Sequence, residues 1–454
     1  MAASNSSRDG AQGLTARLVE QALALRWDDL PTDARAVARS CVADWMACSF
    51  AALDEPVATI VAGVIADEGS HPQATLLGGG GKASTLQAAL YNGALSHALD
   101  YDDVNLAVPG HMSVAILPAV FALAEHRGAT GEALLQAFVA GYETACRIGA
   151  LVEPSHYANG FHATGTIGSI GAAVACARLL ELPLERACHA VGIAATQAAG
   201  LKAMFGSMTK PLHAGLAAQA GLRAALLAAR GLTSRDDALE CRQGFAQVHG
   251  SDFRVDDALA TPAGGAHVLA NLFKFHAACY STHSTIEAIA GLRERHGITS
   301  SAVERILVTA GEGCSICNIQ QPATALEAKF SLRATAAFAL LGISTSELGT
   351  WGRVTEPEVV GVRDRVRVTL VPGMSLSESE VTITLKDGRE HKLRVDCGVP
   401  MGDKQLQWRK VADKFHALAA PVLGQGKARS LLGALEALER ERELAPVMRL
   451  CSVR

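Results

Sequence analysis

Charged residues are scarce in this chain. Asp, Glu, Lys and Arg make up 19% of its 454 residues, against 49% hydrophobic, and they balance to a net charge of only -4. No run of lysine and arginine supplies the footprint of a phosphate-backbone binder, so nucleic acid is not an expected partner. Long apolar runs are missing as well. The uncharged stretch from Val104 to Ala124 is broken by Asn105, Pro109, Gly110, His111 and Pro118, which a lipid-exposed helix does not tolerate, so no membrane span is expected. The opening residues, MAASNSSRDGAQG, contain no apolar core of a secretory signal, which points to a cytoplasmic protein. Clustered cysteines are also absent. Eleven cysteines stand mostly alone in alanine-rich segments, as at Cys41, Cys48, Cys146, Cys176 and Cys188, where a thiol packs as a small hydrophobe. Only Cys314 and Cys317 are close, too few for an iron–sulfur cluster and without the βαβ setting of a redox motif. A phosphate loop fails too: in LLGGGGKAS, Lys82 is followed by Ala83 where Ser or Thr is required, which leaves a glycine turn before a helix starting near Ser84.

What is present is mostly helical. The length exceeds that of a usual single core, so two domains are expected. From Leu14 to about Ala260, segments such as LTARLVEQALALRW and GEALLQAFVAGYETACRIGAL repeat apolar residues at three- and four-residue spacing, and six or more helices follow one another. Alanine and glycine crowd the faces that should pack, as in GSIGAAVACARLL, which allows close helix approach. After TPAGGA the texture changes to β-branched, partly alternating runs, ERILVTA, RVRVTLVP and VTITLKDGREHKLRV, with Asp387-Gly388 as a two-residue hairpin turn. Helical pattern returns in WRKVADKFHALAAPVL. The expected fold is mainly α: a helical domain over 1–265, a smaller α+β domain over 266–400, and C-terminal helices over 401–454 that return to the first domain.

Chemistry concentrates at predicted helix ends. SHALDYDDV gathers His97, Asp100, Asp102 and Asp103, which alone reads most simply as a solvated acidic end. PGHMS brings His111 to the start of an apolar helix, where it could cap or pack as readily as react. His162 in GFHATG precedes a small-residue helix whose free N–H groups could face a carboxylate. Lys210 in MTKPLHAG precedes Pro211, suited to a first helical turn, although a surface lysine is equally consistent. His283 follows hydroxyl residues in ACYSTHSTIEA, near Lys274 and Tyr280. Three such segments with His or Lys at helix starts would hold a multiply charged anion.

HALDYDDV, GFHATGTIGSIGAA, KPLHAGLAAQAG, ACYSTHSTIEA and EAKFSL stand in the order and spacing of the MmgE/PrpD family, which nearly the whole chain resembles. That resemblance implies a large helical domain, a smaller α+β lid, a homodimer, an active site in the cleft between the domains and no metal or other cofactor. It also implies a pocket built from Asp100, His111, His162, Lys210 and His283, with histidines in acid/base roles, Asp100 orienting one of them, and Lys210 and His283 gripping carboxylates. Val104 and the pair His111-Met112 depart from the Thr and His-Pro that family members often carry there. The implied activity is that of a lyase, first a hydro-lyase on a di- or tricarboxylate such as 2-methylcitrate. An epimerase or a decarboxylase would use the same proton chemistry, and a non-catalytic binding protein is the remaining alternative.

Overall fold

The computed structural model describes residues 13–79 and 81–453. The chain packs into two compact units: the first takes residues up to Ala98, Asp102–Asn271 and everything from Asp403, and the second takes Leu99–Tyr101 and Leu272–Gly402.

The first unit is helical, and its helices begin and end where local chemistry dictates. Ser84 caps Thr85–Ser96 by accepting from the Gln87 N–H, and Thr130 caps Gly131–Val152 by accepting from Ala133. Met112–Arg127 stops at Gly128, whose φ of 63° lies in the left-handed region. Small residues bring helices together: a Cβ on Gly93 would stand 2.7 Å from the Gly215 Cα, so Thr85–Ser96 and Thr209–Ala229 touch backbone to backbone. Gly78, Gly79 and Gly81 lie between two short antiparallel strands, β1 (Ala74–Thr75) and β2 (Lys82–Ala83), with Lys82 paired to Glu125 at 2.8 Å. The lysine that superficially resembled a phosphate ligand thus braces a turn.

The C-terminal helix Lys404–Leu423 belongs to this unit and contributes a buried cation to its centre. Lys414 Nζ stands 2.7 Å from Asp44 Oδ1, and Asp44 Oδ2 accepts the Asp103 backbone N–H at 3.0 Å. No single helix among the described residues is long and apolar enough to cross a membrane.

The second unit is built on a four-stranded sheet in the order β4-β3-β5-β6, with β3 Val303–Gly311, β4 Val366–Val371, β5 Glu378–Leu385 and β6 Glu390–Asp396. β3 pairs parallel with β4 and antiparallel with β5, and β5 pairs antiparallel with β6. β5 alternates, burying Ser379, Val381, Ile383 and Leu385 on one face. The Ser379 hydroxyl lies 2.9 Å from both Ser284 Oγ and Thr285 Oγ1 on helix His283–His296, so the helix is pinned to the sheet at its first turn. The hairpin after β5 differs from the two-residue turn expected. Leu385 N–H donates to the Arg389 carbonyl, so three residues, Lys386 to Gly388, make the loop, and Gly388 takes the positive φ of 87° that this turn class requires. Cys314 and Cys317 are buried with Ala310 and Leu332 beneath this sheet.

Candidate active site

In the first unit, four imidazoles stand in a row. His97 closes helix Thr85–Ser96, His111 immediately precedes Met112–Arg127, His162 immediately precedes Ala163–Leu179, and His213 lies in the second turn of Thr209–Ala229. Ring centres are 4.6 Å apart for His111 and His97, 5.9 Å for His97 and His162, and 5.3 Å for His162 and His213. All four are buried.

Asp102 anchors one end. Its Oδ1 lies 2.9 Å from His97 Nδ1, and its Oδ2 lies 2.8 Å from His111 Nδ1. His111 Nδ1 is equally close, at 2.8 Å, to the Asp103 carbonyl, and the better-aligned hydrogen bond goes there. Both neighbours of that nitrogen are acceptors, so Nδ1 carries the proton and the Nε2 of neutral His111 keeps its lone pair. The same logic gives His97 an Nδ1 proton, leaving an Nε2 that is buried without a hydrogen-bond partner. Burial disfavours the Asp102 carboxylate, but the His97 and His111 imidazoles outweigh it and hold the group well below the usual range.

The other end is electropositive and apolar. Lys210, in the first turn of its helix, stands 5.3 Å from the Phe205 ring centre, and Phe205 packs edge-on to His162 at 5.0 Å. Burial first, then the Lys210 charge, holds His162 well below its ordinary pKa and lowers His213 too, so both are neutral near pH 7. Neither His111 nor His162 makes a side-chain capping bond to its helix, which removes the capping alternative for both. The sequence reading of an exposed acidic helix end is also overturned: Asp102 and Asp103 are 0% and 1% exposed. The helix in fact stops at Ser96, so the turn that follows, and not a helical face, sets their directions.

Asp100 and His283 belong to the second unit. Asp100 has a φ of 51°, a left-handed conformation that aspartate tolerates better than most residues, and its carboxylate and carbonyl lie 2.9 and 2.6 Å from Lys274 Nζ. His283 opens helix His283–His296, its ring 4.9 Å from His276 and 4.8 Å from Tyr280. His276 is held between Thr345 Oγ1 at 2.7 Å and Glu287 Oε1 at 3.1 Å.

Comparison with known proteins gives this geometry its setting. The MmgE/PrpD N-terminal domain matches residues 16–257, and the MmgE/PrpD C-terminal domain matches residues 276–440. The chain belongs to the MmgE/PrpD family. It is 25% identical to the cis-aconitate decarboxylase of Aspergillus terreus over 484 aligned positions, covering 99% of this chain and 98% of that protein. It is 28% identical to the cis-aconitate decarboxylase of Homo sapiens, covering 78% and 76%, and 29% identical to that of Mus musculus, covering 80% and 78%. This MmgE/PrpD protein is therefore an enzyme of a polycarboxylate-processing family.

Of the residues picked from the sequence of this MmgE/PrpD chain, His111, His162 and Lys210 share the first unit with the imidazole row. The carboxylate set against two histidines is Asp102, whereas Asp100 faces Lys274. His213 was missed. Its one available signal was its place three residues after Lys210, on the same side of a helix.

Neutral buried histidines make stability depend on pH. Burial lowers His97, His156 and His267 to about 4. Between about 4 and 6.5 the unfolded chain then binds more protons at these sites than the folded one, so their stabilising contribution is complete above about 6.5 and is lost as pH falls toward 4. Asp103 opposes this: burial, then Asp44, push it up to about 7, so its contribution declines as pH rises from about 4 to 7. Asp44, Glu143 and Glu153, raised by burial, act with Asp103, while His162, His213 and His249, lowered by burial, act with the other three histidines, so the histidines remain the larger set. The calorimetric melting temperature is expected to fall by about 5 °C or more between pH 7 and pH 4.5. A flat or rising profile would show that these rings are protonated in the folded protein.

Proposed function

We propose that this protein is a cofactor-independent lyase that removes CO2 from an unsaturated tricarboxylate of the cis-aconitate class. The observation that carries the reading is the row of buried imidazoles, fixed at one end by Asp102 and flanked at the other by Lys210. Breaking the bond to a carboxylate leaves an electron pair on carbon, delocalised into a neighbouring unsaturated carboxylate. Such a charge is stabilised by a preorganised cation, the role assigned to Lys210, and is discharged by a proton from a positioned acid, the role assigned to His162. Asp100 and His283 are proposed as further pocket residues on family membership alone. The decarboxylase relatives at 25 to 29% identity support CO2 loss over the hydro-lyase reaction favoured from the sequence.

Dehydration is the second reading, and one feature favours it. The tautomer of His111 leaves a lone pair on Nε2, and a base is needed to take a proton ahead of water loss but not to lose CO2. A panel of cis-aconitate, citrate, 2-methylcitrate and iminodisuccinate followed by proton NMR in D2O separates the readings. CO2 loss from cis-aconitate with one deuteron entering the product is the expected result. Water loss or gain without CO2 would establish the hydro-lyase, and saturable binding without turnover would make the chain a binding protein. With the substrate in hand, His162→Ala is expected to lower kcat by about 10²- to 10⁴-fold, and near-normal turnover would remove His162 from the chemistry.

Lys210 provides the cation without a metal. His97, Asp102 and His111 have ligand atoms within 4.8 Å of one another, but the 2.8 and 2.9 Å contacts of Asp102 with the two Nδ1 atoms place a proton on each of those nitrogens, which then has no lone pair to offer a metal. Turnover is expected to survive prolonged treatment with a chelator. Activity lost on chelation and restored by a stoichiometric divalent ion would overturn this assignment.

A further inference from the structure

The contact between His162 and His213 has an unusual form. The two rings meet Nδ1 to Nδ1 at 3.1 Å. Two protons in that gap would collide and none would set lone pair against lone pair, so two neutral rings must share one. Their tautomers are thereby locked in opposition. If His162 carries the shared proton, its Nε2 offers a lone pair and His213 holds its own proton on Nε2. If His213 carries it, the His162 Nε2 bears a proton and the His213 Nε2 is bare.

The fold is built to bring these rings together. His162 is fixed by its backbone N–H donating to the Gly200 carbonyl at 3.0 Å, and His213 rides on the neighbouring helix one turn after Lys210. Gly165, in the first turn of the His162 helix, leaves the space between them. A Cβ there would lie 2.5 Å from the Ala199 carbonyl oxygen and 3.3 Å from the His213 Cβ. His213 keeps more exposure than His162, 7% against 2%, and is the ring nearer to water.

We propose that His213 is the positioning residue that sets the protonation of His162 and reloads it from solvent. This rests on the proposed lyase reading, in which a proton must reach carbon. As CO2 departs with its C–C bond broken, the electron pair left behind takes the proton from His162 Nε2. The shared proton passes from His213 Nδ1 to His162 Nδ1, and a solvent proton arrives at His213 Nε2. Both rings begin and end neutral. Release of product and exchange of the His162 Nε2 and His213 Nε2 protons with water in the opposite sense restores the starting pair. A relay of neutral rings suits a site where burial and Lys210 both disfavour an imidazolium.

The test pairs a catalytic with a spectroscopic readout. Full-length protein labelled with 15N-histidine is examined in His162→Gln, His213→Asn and unsubstituted forms, which assigns the two rings. Opposed tautomers with one proton shared between the Nδ1 atoms are expected near pH 7. The same tautomer on both rings, or a charged pair, overturns the proposal whether or not any substrate is turned over. In kinetics, His213→Asn can still hydrogen-bond His162 but cannot pass a proton. It and His213→Ala are both expected to lose about tenfold or more in kcat with little change in KM, and added imidazole should restore His213→Ala only. If cis-aconitate is turned over and both variants keep the full kcat and solvent isotope effect, the relay is wrong while the lyase reading stands. If no tricarboxylate is consumed, that reading fails and the 15N spectra alone decide the coupling.

Discussion

Asp102→Asn is expected to lower kcat by about 10²- to 10⁴-fold while leaving the helices intact, because its carboxylate sets the tautomer of His97 and, together with the Asp103 carbonyl, that of His111. Asp102 presents an oxygen to each Nδ1, at 2.9 Å for His97 and 2.8 Å for His111. An asparagine has one oxygen and one amide nitrogen to put in those places. With the nitrogen toward His111, donor meets donor, and the ring must turn away from both the side chain and the Asp103 carbonyl. With the nitrogen toward His97, that ring must move its proton to Nε2, which is buried with no acceptor near it. Either choice disorders the row, and the charge that steadies it is gone as well. Circular dichroism and the melting temperature report whether the fold survives, and the measured kcat on the substrate found in the panel decides the matter. A rate within about threefold of the unsubstituted enzyme would mean that the histidines do not depend on Asp102 for their protonation, since a working acid/base group contributes far more.

Lys414→Met is expected to destabilise the first unit by about 3–5 kcal/mol, the cost of leaving a buried carboxylate without its cation. Lys414 and Asp44 side chains are 4% and 0% exposed and meet at 2.7 Å. Burial raises the Asp44 pKa and Lys414 is the largest influence opposing it, so without the lysine the carboxyl is driven further toward its protonated form or disrupts its surroundings. The midpoint of urea unfolding checks this. The double variant Asp44→Asn with Lys414→Met removes both charges and should recover much of the loss, separating an unpaired charge from a packing defect. An unchanged midpoint in the single variant would mean that water reaches Asp44.

Much of this was legible in the sequence, and what was not has definite physical causes. Helix starts at His111, His162, Lys210 and His283 could be read because turn and capping residues act locally: Gly and Thr around His162, Pro211 after Lys210, hydroxyls before His283. The hairpin at Gly388 was visible for the same reason, though its length was misjudged by one residue, since the register of β5 and β6 is a pairing property. The DYDD segment marks the limit. It offers carboxylates at 100, 102 and 103, and which one meets the histidines depends on a turn in which Asp100 adopts a positive φ. Nothing in the local sequence fixes that. His213 was hidden differently: its own helix was evident, but its partner His162 lies 51 positions away. Lys414 stands in the helical pattern WRKVADKFHALAAPVL, and no local signal marks it for burial against Asp44, 370 positions away.

That last pair also bears on how the protein comes into being. Asp44 and Lys414 are separated by 370 positions, with the whole second unit made between them. On the ribosome, the helix Thr32–Ala51 emerges with an aspartate that is destined for a dry interior, and its counter-charge follows only 370 residues later. Until then the growing chain must keep that face hydrated or keep the carboxyl protonated. Consolidation of the first unit is therefore tied to the arrival of helix Lys404–Leu423, through a contact of very long sequence separation of the kind that slows folding.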